Sequence, residues 1–370
     1  MIATGKEGIA LTPFEIFVGH NFPHPLGSAT LESLHQASHD DASPKVIILT
    51  GPTGVGKTTT MRAAGKRILT NFRDKIEMES DFVPIVAVNA VPSTKKAFDW
   101  KDFYIRLLAS QQEPLIESKL EVRGQLSLFE GSPGSNHLEG TAPNTLRREM
   151  EQYLRLRRTK YLFIDEAHHI FLGGDPQFLE IQFEILKSMT IETGVTLVLS
   201  GTYKLLDIMD QSGQLTRRSQ IVHFPRYDMR IKEHRDDYWN VLHHVENRMQ
   251  ELVPTAITGD ARYFYQKSAG CVGILKDLAN KCLNHALKEK ISVIDRNFAD
   301  RFAQPNNGLM TIITEACLGE NRLANVTDDH LLDLLKNGIL SDEPTISSRA
   351  KPRRAGQRNP RRDPVGGAHV

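Results

Sequence analysis

Residues 45–58 read KVIILTGPTGVGKT, and the fold turns on how that string divides. Val46-Ile-Ile-Leu49 is an unbroken apolar run, the pattern of a strand buried on both faces. Glycines follow at 51, 54 and 56, and then TTMRAAGKRILTNF sets Met, Ala and Leu on one helical face. A strand, a glycine-rich loop and a helix in this order gather backbone N–H groups and a helix N-terminus at one point, where an anion is stabilised. The loop Gly51-Pro-Thr-Gly-Val-Gly-Lys-Thr58 fits G-x-x-x-x-G-K-[ST] at every position. The ligand expected of it is ATP with Mg²⁺. Gly51, Pro52, Thr53, Gly54, Val55, Gly56 and Thr59 line the nucleotide, Lys57 brings a point charge to the β- and γ-phosphates, and Thr58 offers a hydroxyl to Mg²⁺.

A second motif lies further on, in YLFIDEAHH (161–169). Its apolar start reads as a buried strand that ends in two carboxylates, and ligands of open α/β sheets sit at that strand end. Asp165 is expected to hold Mg²⁺ and Glu166 to orient or deprotonate the attacking water. In LVLSGT, Thr202, with Ser200 as the second choice, falls beside the γ-phosphate if its strand lies between the two motif strands; both can equally be turn residues. Arg217 and Arg218, in QLTRRSQIVHF, precede the last strand, where one of them can reach a neighbouring subunit's ATP.

Working outward, strands are expected at 83–90, 161–166, 195–202 and 219–224, alternating with helices at 98–110, 146–158, 178–192 and 203–211. Such alternation implies a parallel sheet covered on both faces, hence an α/β fold. Before the sheet, residues 1–44 form an extension with one helix in SATLESLHQA, which Ser28 can cap. The ATPase core spans 45–227 and carries a loop-like insertion at about 117–145. After residue 228 the strand pattern stops, and 228–305 reads as a small all-helical lid, followed by a helical segment at 306–340. The stretch 341–370 has seven Lys or Arg against three acids and few apolar residues, which reads as a disordered basic tail.

Composition excludes little. Hydrophobic residues at 40% and charged residues at 25% are those of an ordinary globular chain, and a net charge of +1 neither favours nor opposes DNA. Cys271, Cys282 and Cys317 match no zinc spacing and form no disulfide framework, so a reducing cytoplasm is the expected setting. No leader-like or membrane-spanning apolar run is present.

The order of phosphate loop, DE strand, polar strand end, late arginine and helical lid resembles the AAA+ ATPases. Within them the chain is most similar to the TniB/TnsC family of transposition regulators. That likeness rests on GPTGVGKTTT, YLFIDEAHHIF, LSGT, QLTRRSQIVHF and SAGCVGILKDLANKCLNHAL, and it covers about residues 25–300. The resemblance implies an ATP-loaded homo-oligomer, ring or helical, that wraps double-stranded DNA. It links a target selector of the TniQ/TnsD type to a DDE-type transposase, and ATP hydrolysis controls its assembly. It also implies a lid residue that contacts nucleotide, represented here by Lys276, where a lysine replaces the usual arginine and its planar fork. By the same likeness the stretch after the second strand tracks DNA phosphates, which points to Thr94, Lys95, Lys96 and Lys101; an ordinary solvated lysine cluster is the other reading.

Other readings compete. The DEAH string suggests a helicase, but such an enzyme needs two similar cores and the chain has one. A replication-initiator or loader ATPase shares every ATP motif, and a slow-hydrolysing scaffold ordered by ATP is a third class. His168 and His169 read as structural or as neighbours of the Mg²⁺ shell, since no third metal ligand is evident, and Trp100 and Trp239 read as core anchors.

Overall fold

The computed structural model describes residues 24–39, 46–93, 97–110, 142–172, 176–209 and 219–324, with 332, 335 and 336 beyond them. The described residues from His24 to Leu323 belong to one compact unit. Within that unit the order is α1 (Pro25–His39), β1 (Val46–Thr50), α2 (Lys57–Asn71), α3 (Arg73–Met78), β2 (Ile85–Asn89), α4 (Trp100–Ser110) and α5 (Pro143–Leu156). Then come β3 (Tyr161–Asp165), α6 (Pro176–Thr193), β4 (Thr196–Gly201), α7 (Leu206–Met209) and β5 (Ser219–His223). The chain continues through α8 (Lys232–Gln250), α9 (Ala261–Ser268), α10 (Val272–Glu289), α11 (Arg296–Asp300) and α12 (Asn306–Leu323).

The five strands form one parallel sheet in the order β2-β3-β4-β1-β5. Every residue of β1 and β3 is buried, as the apolar runs Val46–Leu49 and Tyr161–Ile164 require, and the polar ends Thr50 and Asp165 are buried with them. Alternate residues point to opposite faces. Val46, Ile48, Leu162, Ile164, Leu197 and Leu199 pack under α4, α5 and α6, whereas Ile47, Leu49, Phe163 and Val198 pack under α1 and α2. The helices α8 to α11 close around a core of their own, containing Tyr238, Leu242, Val245, Leu275 and Leu283. The P-loop α/β architecture expected from the motifs is therefore the one observed.

Parallel pairing brings all five strand C-termini to one edge, and the register sets Thr50 beside Gly201 on one flank and His223 on the other. β4 lies between β1 and β3, so the strand ending in Gly201 does separate the two motif strands.

Some local expectations change. Ser28 is not a cap: α1 starts at Pro25, the favoured first helical residue, and the Ser28 N–H already donates to the His24 carbonyl at 2.9 Å. Helix α5 begins at Pro143, again a proline start, so residues 143–145 belong to a helix rather than to the insertion. β2 begins only at Ile85, because Pro84 has no N–H to give a ladder. Trp100 meets the aromatic cluster of Phe98, Phe103 and Tyr104 and donates from Nε1 to Gln182 at 2.6 Å. Trp239 is no core anchor, being 48% exposed and stacked on His243. The rest of the insertion, the basic tail and most of the N-terminal extension lie outside the described residues.

Candidate nucleotide site

Gly51 leaves β1 so close to β5 that a Cβ on it would lie 2.1 Å from the Phe224 carbonyl oxygen. Gly54 and Gly56 take φ values of 81° and 114°, a region that L side chains rarely adopt. Gly56 is the N-cap of α2, which has no acidic residue in its first turn. The positive end of the helix dipole and its first N–H groups are thus left to an anion.

Lys57, the first residue of α2, is buried, and its ammonium donates to the Gly51 carbonyl at 3.0 Å and the Pro52 carbonyl at 2.8 Å. Burial pulls its pKa down to about 8, against the opposing attraction of Glu166 and Asp165. Thr58 donates from Oγ1 to Asp165 Oδ2 at 2.7 Å, bridging the loop and the end of β3. The other carboxylate oxygen of Asp165 accepts the Glu166 N–H at 2.9 Å, so this buried acid is held from both sides.

Glu166 follows at φ 51° with its side chain partly exposed. His168 Nδ1 lies 3.2 Å from Glu166 Oε2, and the ring centroids of His168 and His169 are 4.1 Å apart. Burial, and then the adjoining His169, lower the His168 pKa to about 4, so that ring is neutral near pH 7. Thr202 directly follows β4, and its Oγ1 is buried with no hydrogen-bond partner among the described residues, as is the Ser200 hydroxyl. An orphaned hydroxyl beside the loop is what a contact to a terminal phosphate would satisfy.

Two further elements, α10 and the residue before α1, also converge on the loop. The Gly273 N–H, in the first turn of α10, donates to the Gly54 carbonyl at 2.7 Å, and a Cβ on Gly54 would lie 2.7 Å from Ile274 Cγ1. His24 lies 3.3 Å through Nε2 from the Val55 carbonyl and 3.0 Å through Nδ1 from the Tyr227 hydroxyl. Since a carbonyl only accepts, Nε2 carries the proton and Nδ1 accepts from Tyr227. Lys276 is half-buried on α10, and its charge adds a small lowering of the His24 pKa.

Gly51–Thr59, Asp165, Glu166 and Thr202 therefore collect at one sheet edge, with the loop at its centre, while Lys276 stands on α10. Lys101 is the second residue of α4, half-buried after β2. Thr94, Lys95, Lys96, Arg217 and Arg218 lie outside the described residues. Reading by motif missed His24 and Tyr227, and it quoted the segments of Phe224 and Gly273 without foreseeing their contacts with the loop, because none has a fixed spacing from it. Only a histidine–proline start before α1 and a glycine at the head of α10 marked them at all.

The donor set fits Mg-nucleotide: a glycine cradle, a buried ammonium, and a hydroxyl joined to a buried carboxylate. Residues 40–209 match the family described as AAA domain. Among solved structures, the chain is similar to the Aeropyrum pernix ORC2 protein, with 12% identity over 86% of this chain and 73% of that one, at a TM-score of 0.48. It is also similar to a Walker-type ATPase of Pyrococcus abyssi, with 15% identity over 87% and 77% of the two chains, at a TM-score of 0.48. Drosophila ORC bound to DNA is similar too, with 11% identity over 91% and 85%, at a TM-score of 0.48. Likenesses at this level carry no weight for function. No curated protein matches the sequence.

Proposed function

We propose, from the match of residues 40–209 to the AAA domain family, that this chain is an AAA+ ATPase that binds and hydrolyses ATP to control its own assembly on duplex DNA during transposition. One observation carries the ATPase reading. The 2.7 Å hydrogen bond from Thr58 to Asp165 joins the phosphate loop to the DE strand, and Glu166 is the next residue. Lys57 exchanges its two loop carbonyls for β- and γ-phosphate oxygens, and α2 adds the charge of its N-terminus. Thr58 and Asp165 would hold Mg²⁺, which when bound would neutralise charge on the β- and γ-phosphate oxygens. Glu166 accepts a proton from the attacking water, and Thr202 donates to the γ-phosphate.

The transposition reading is supported by the likeness of QLTRRSQIVHF and SAGCVGILKDLANKCLNHAL to the TniB/TnsC regulators. On that reading Arg217 or Arg218 completes a neighbouring subunit's site. The stretch from Thr94 through Lys95 and Lys96 to Lys101 tracks DNA phosphates. The oligomer bridges a target selector of the TniQ/TnsD type and a DDE-type transposase. The lid of 228–305 and the basic tail of 341–370 belong to the same proposal.

Electron microscopy of the protein with an ATP analogue and duplex DNA tests this. Rings or helical arrays along the duplex that form only with nucleotide are the expected result. A particle that stays monomeric on DNA, with or without nucleotide, would reject it. A replication initiator or loader shares the same ATP site. Stimulation of transposition by a purified DDE-type transposase separates the two, being expected here and not of an initiator.

A further inference from the structure

Glu166, His168 and His169 each bring a ligand atom within 4.8 Å of the other two. The left-handed turn at Glu166, φ 51°, and the 3₁₀ helix Ala167–Phe171 behind it crowd these three residues around one point. Nδ1 of His168 and Nδ1 of His169 are buried, and neither has a hydrogen-bond partner among the described residues. The 3.2 Å approach of His168 to Glu166 is thus a close contact without hydrogen-bond alignment. β4 closes the far side with its smallest possible residue, since a Cβ on Gly201 would lie 3.2 Å from His168 Nδ1. Buried imidazole nitrogens normally find a partner. Two histidines and a carboxylate with ligand atoms this close together supply a two-nitrogen, one-oxygen donor set.

We propose that Glu166, His168 and His169 bind a divalent transition-metal ion of the zinc class, separate from the Mg²⁺ held by Thr58 and Asp165. Imidazole favours zinc-like ions, whereas Mg²⁺ takes oxygen ligands and keeps its water, so the two metals sort by ligand chemistry. The consequence for activity rests on the reading of Glu166 as the base: a carboxylate bound to zinc no longer accepts a proton from water. Zinc at this site therefore switches hydrolysis off without displacing nucleotide.

Equilibrium dialysis of the full chain against Zn²⁺, free of nucleotide and Mg²⁺, tests the site directly. The wild type is expected to hold one more equivalent than the His168→Ala/His169→Ala variant. Glu166→Gln, a change at a partly exposed side chain that leaves both rings in place, is expected to weaken that equivalent at least tenfold. Cobalt in place of zinc should give visible absorption bands in the wild type that the double variant lacks. Equal zinc stoichiometry and equal cobalt spectra in all three proteins would overturn the site. In a Mg²⁺-dependent ATPase assay, zinc should inhibit the wild type in a way that excess Mg²⁺ does not relieve and a chelator does. Zinc bound at full stoichiometry without inhibition would overturn the switch. Zinc bound by a chain that never hydrolyses ATP would keep the site and reject the ATPase reading instead.

Discussion

His24 shows how a single side chain outside any motif can join the phosphate loop to the rest of the fold. Burial is the main cause that lowers its pKa to about 4, while the Val55 carbonyl pulls the other way. An unfolded histidine protonates near pH 6.5, so between there and pH 4 the unfolded chain binds the extra proton. Stability is therefore complete above about pH 6.5 and lost as the pH falls towards 4, by about 3 kcal/mol from this residue. His24→Gln should flatten that part of the profile, measured as urea midpoints against pH. An acid limb as steep as that of the wild type would show that His24 is not its source. Thr58 and Asp165 form a second residue-scale joint, but theirs was legible, since both occupy fixed motif positions.

At the scale of elements, α10 was expected to reach the nucleotide through Lys276, but its backbone contact with the loop had no motif position to mark it. Gly273 donates to the Gly54 carbonyl, and a Cβ on Gly273 would stand 2.4 Å from that same oxygen. Gly273→Ala should cost about 1–3 kcal/mol through this clash and weaken nucleotide binding by shifting the loop. Gly259→Ala, where a Cβ meets nothing within 4 Å, is the control and should stay within about 0.5 kcal/mol. Equal denaturation midpoints for the two variants would contradict the docking. The strands were legible because β1 and β3 are apolar up to the polar residues that end them, Thr50 and Asp165, and are buried on both faces. Helix starts at Pro25 and Pro143 were less so, because Ser28 and the polar run before Leu146 offered equally good local signals. The third ligand beside His168 and His169 was invisible for a different reason. Only the left-handed turn at Glu166 brings that carboxylate back against the two rings.

For the whole molecule, the proposal makes each ATP site a shared one. A subunit carrying Arg217→Ala or Arg218→Ala keeps its own phosphate loop, whereas one carrying Lys57→Ala keeps its arginines. Mixing the two should restore ATP hydrolysis that neither has alone, because an arginine acting across the interface is worth about 10³-fold or more in rate. Mixtures as inactive as their components would confine the site to one chain. Among the described residues no helix is long and apolar enough to cross a membrane.

The most direct measurement is ATP binding and Mg²⁺-dependent hydrolysis, side by side, in the wild type, Lys57→Ala and Glu166→Gln. The wild type should bind and turn over ATP, and Lys57→Ala should lose binding. Glu166→Gln should bind with wild-type affinity and hydrolyse about 100-fold more slowly or worse. Undiminished binding by Lys57→Ala, or wild-type turnover by Glu166→Gln, would contradict the assignment of this strand edge as an ATPase site.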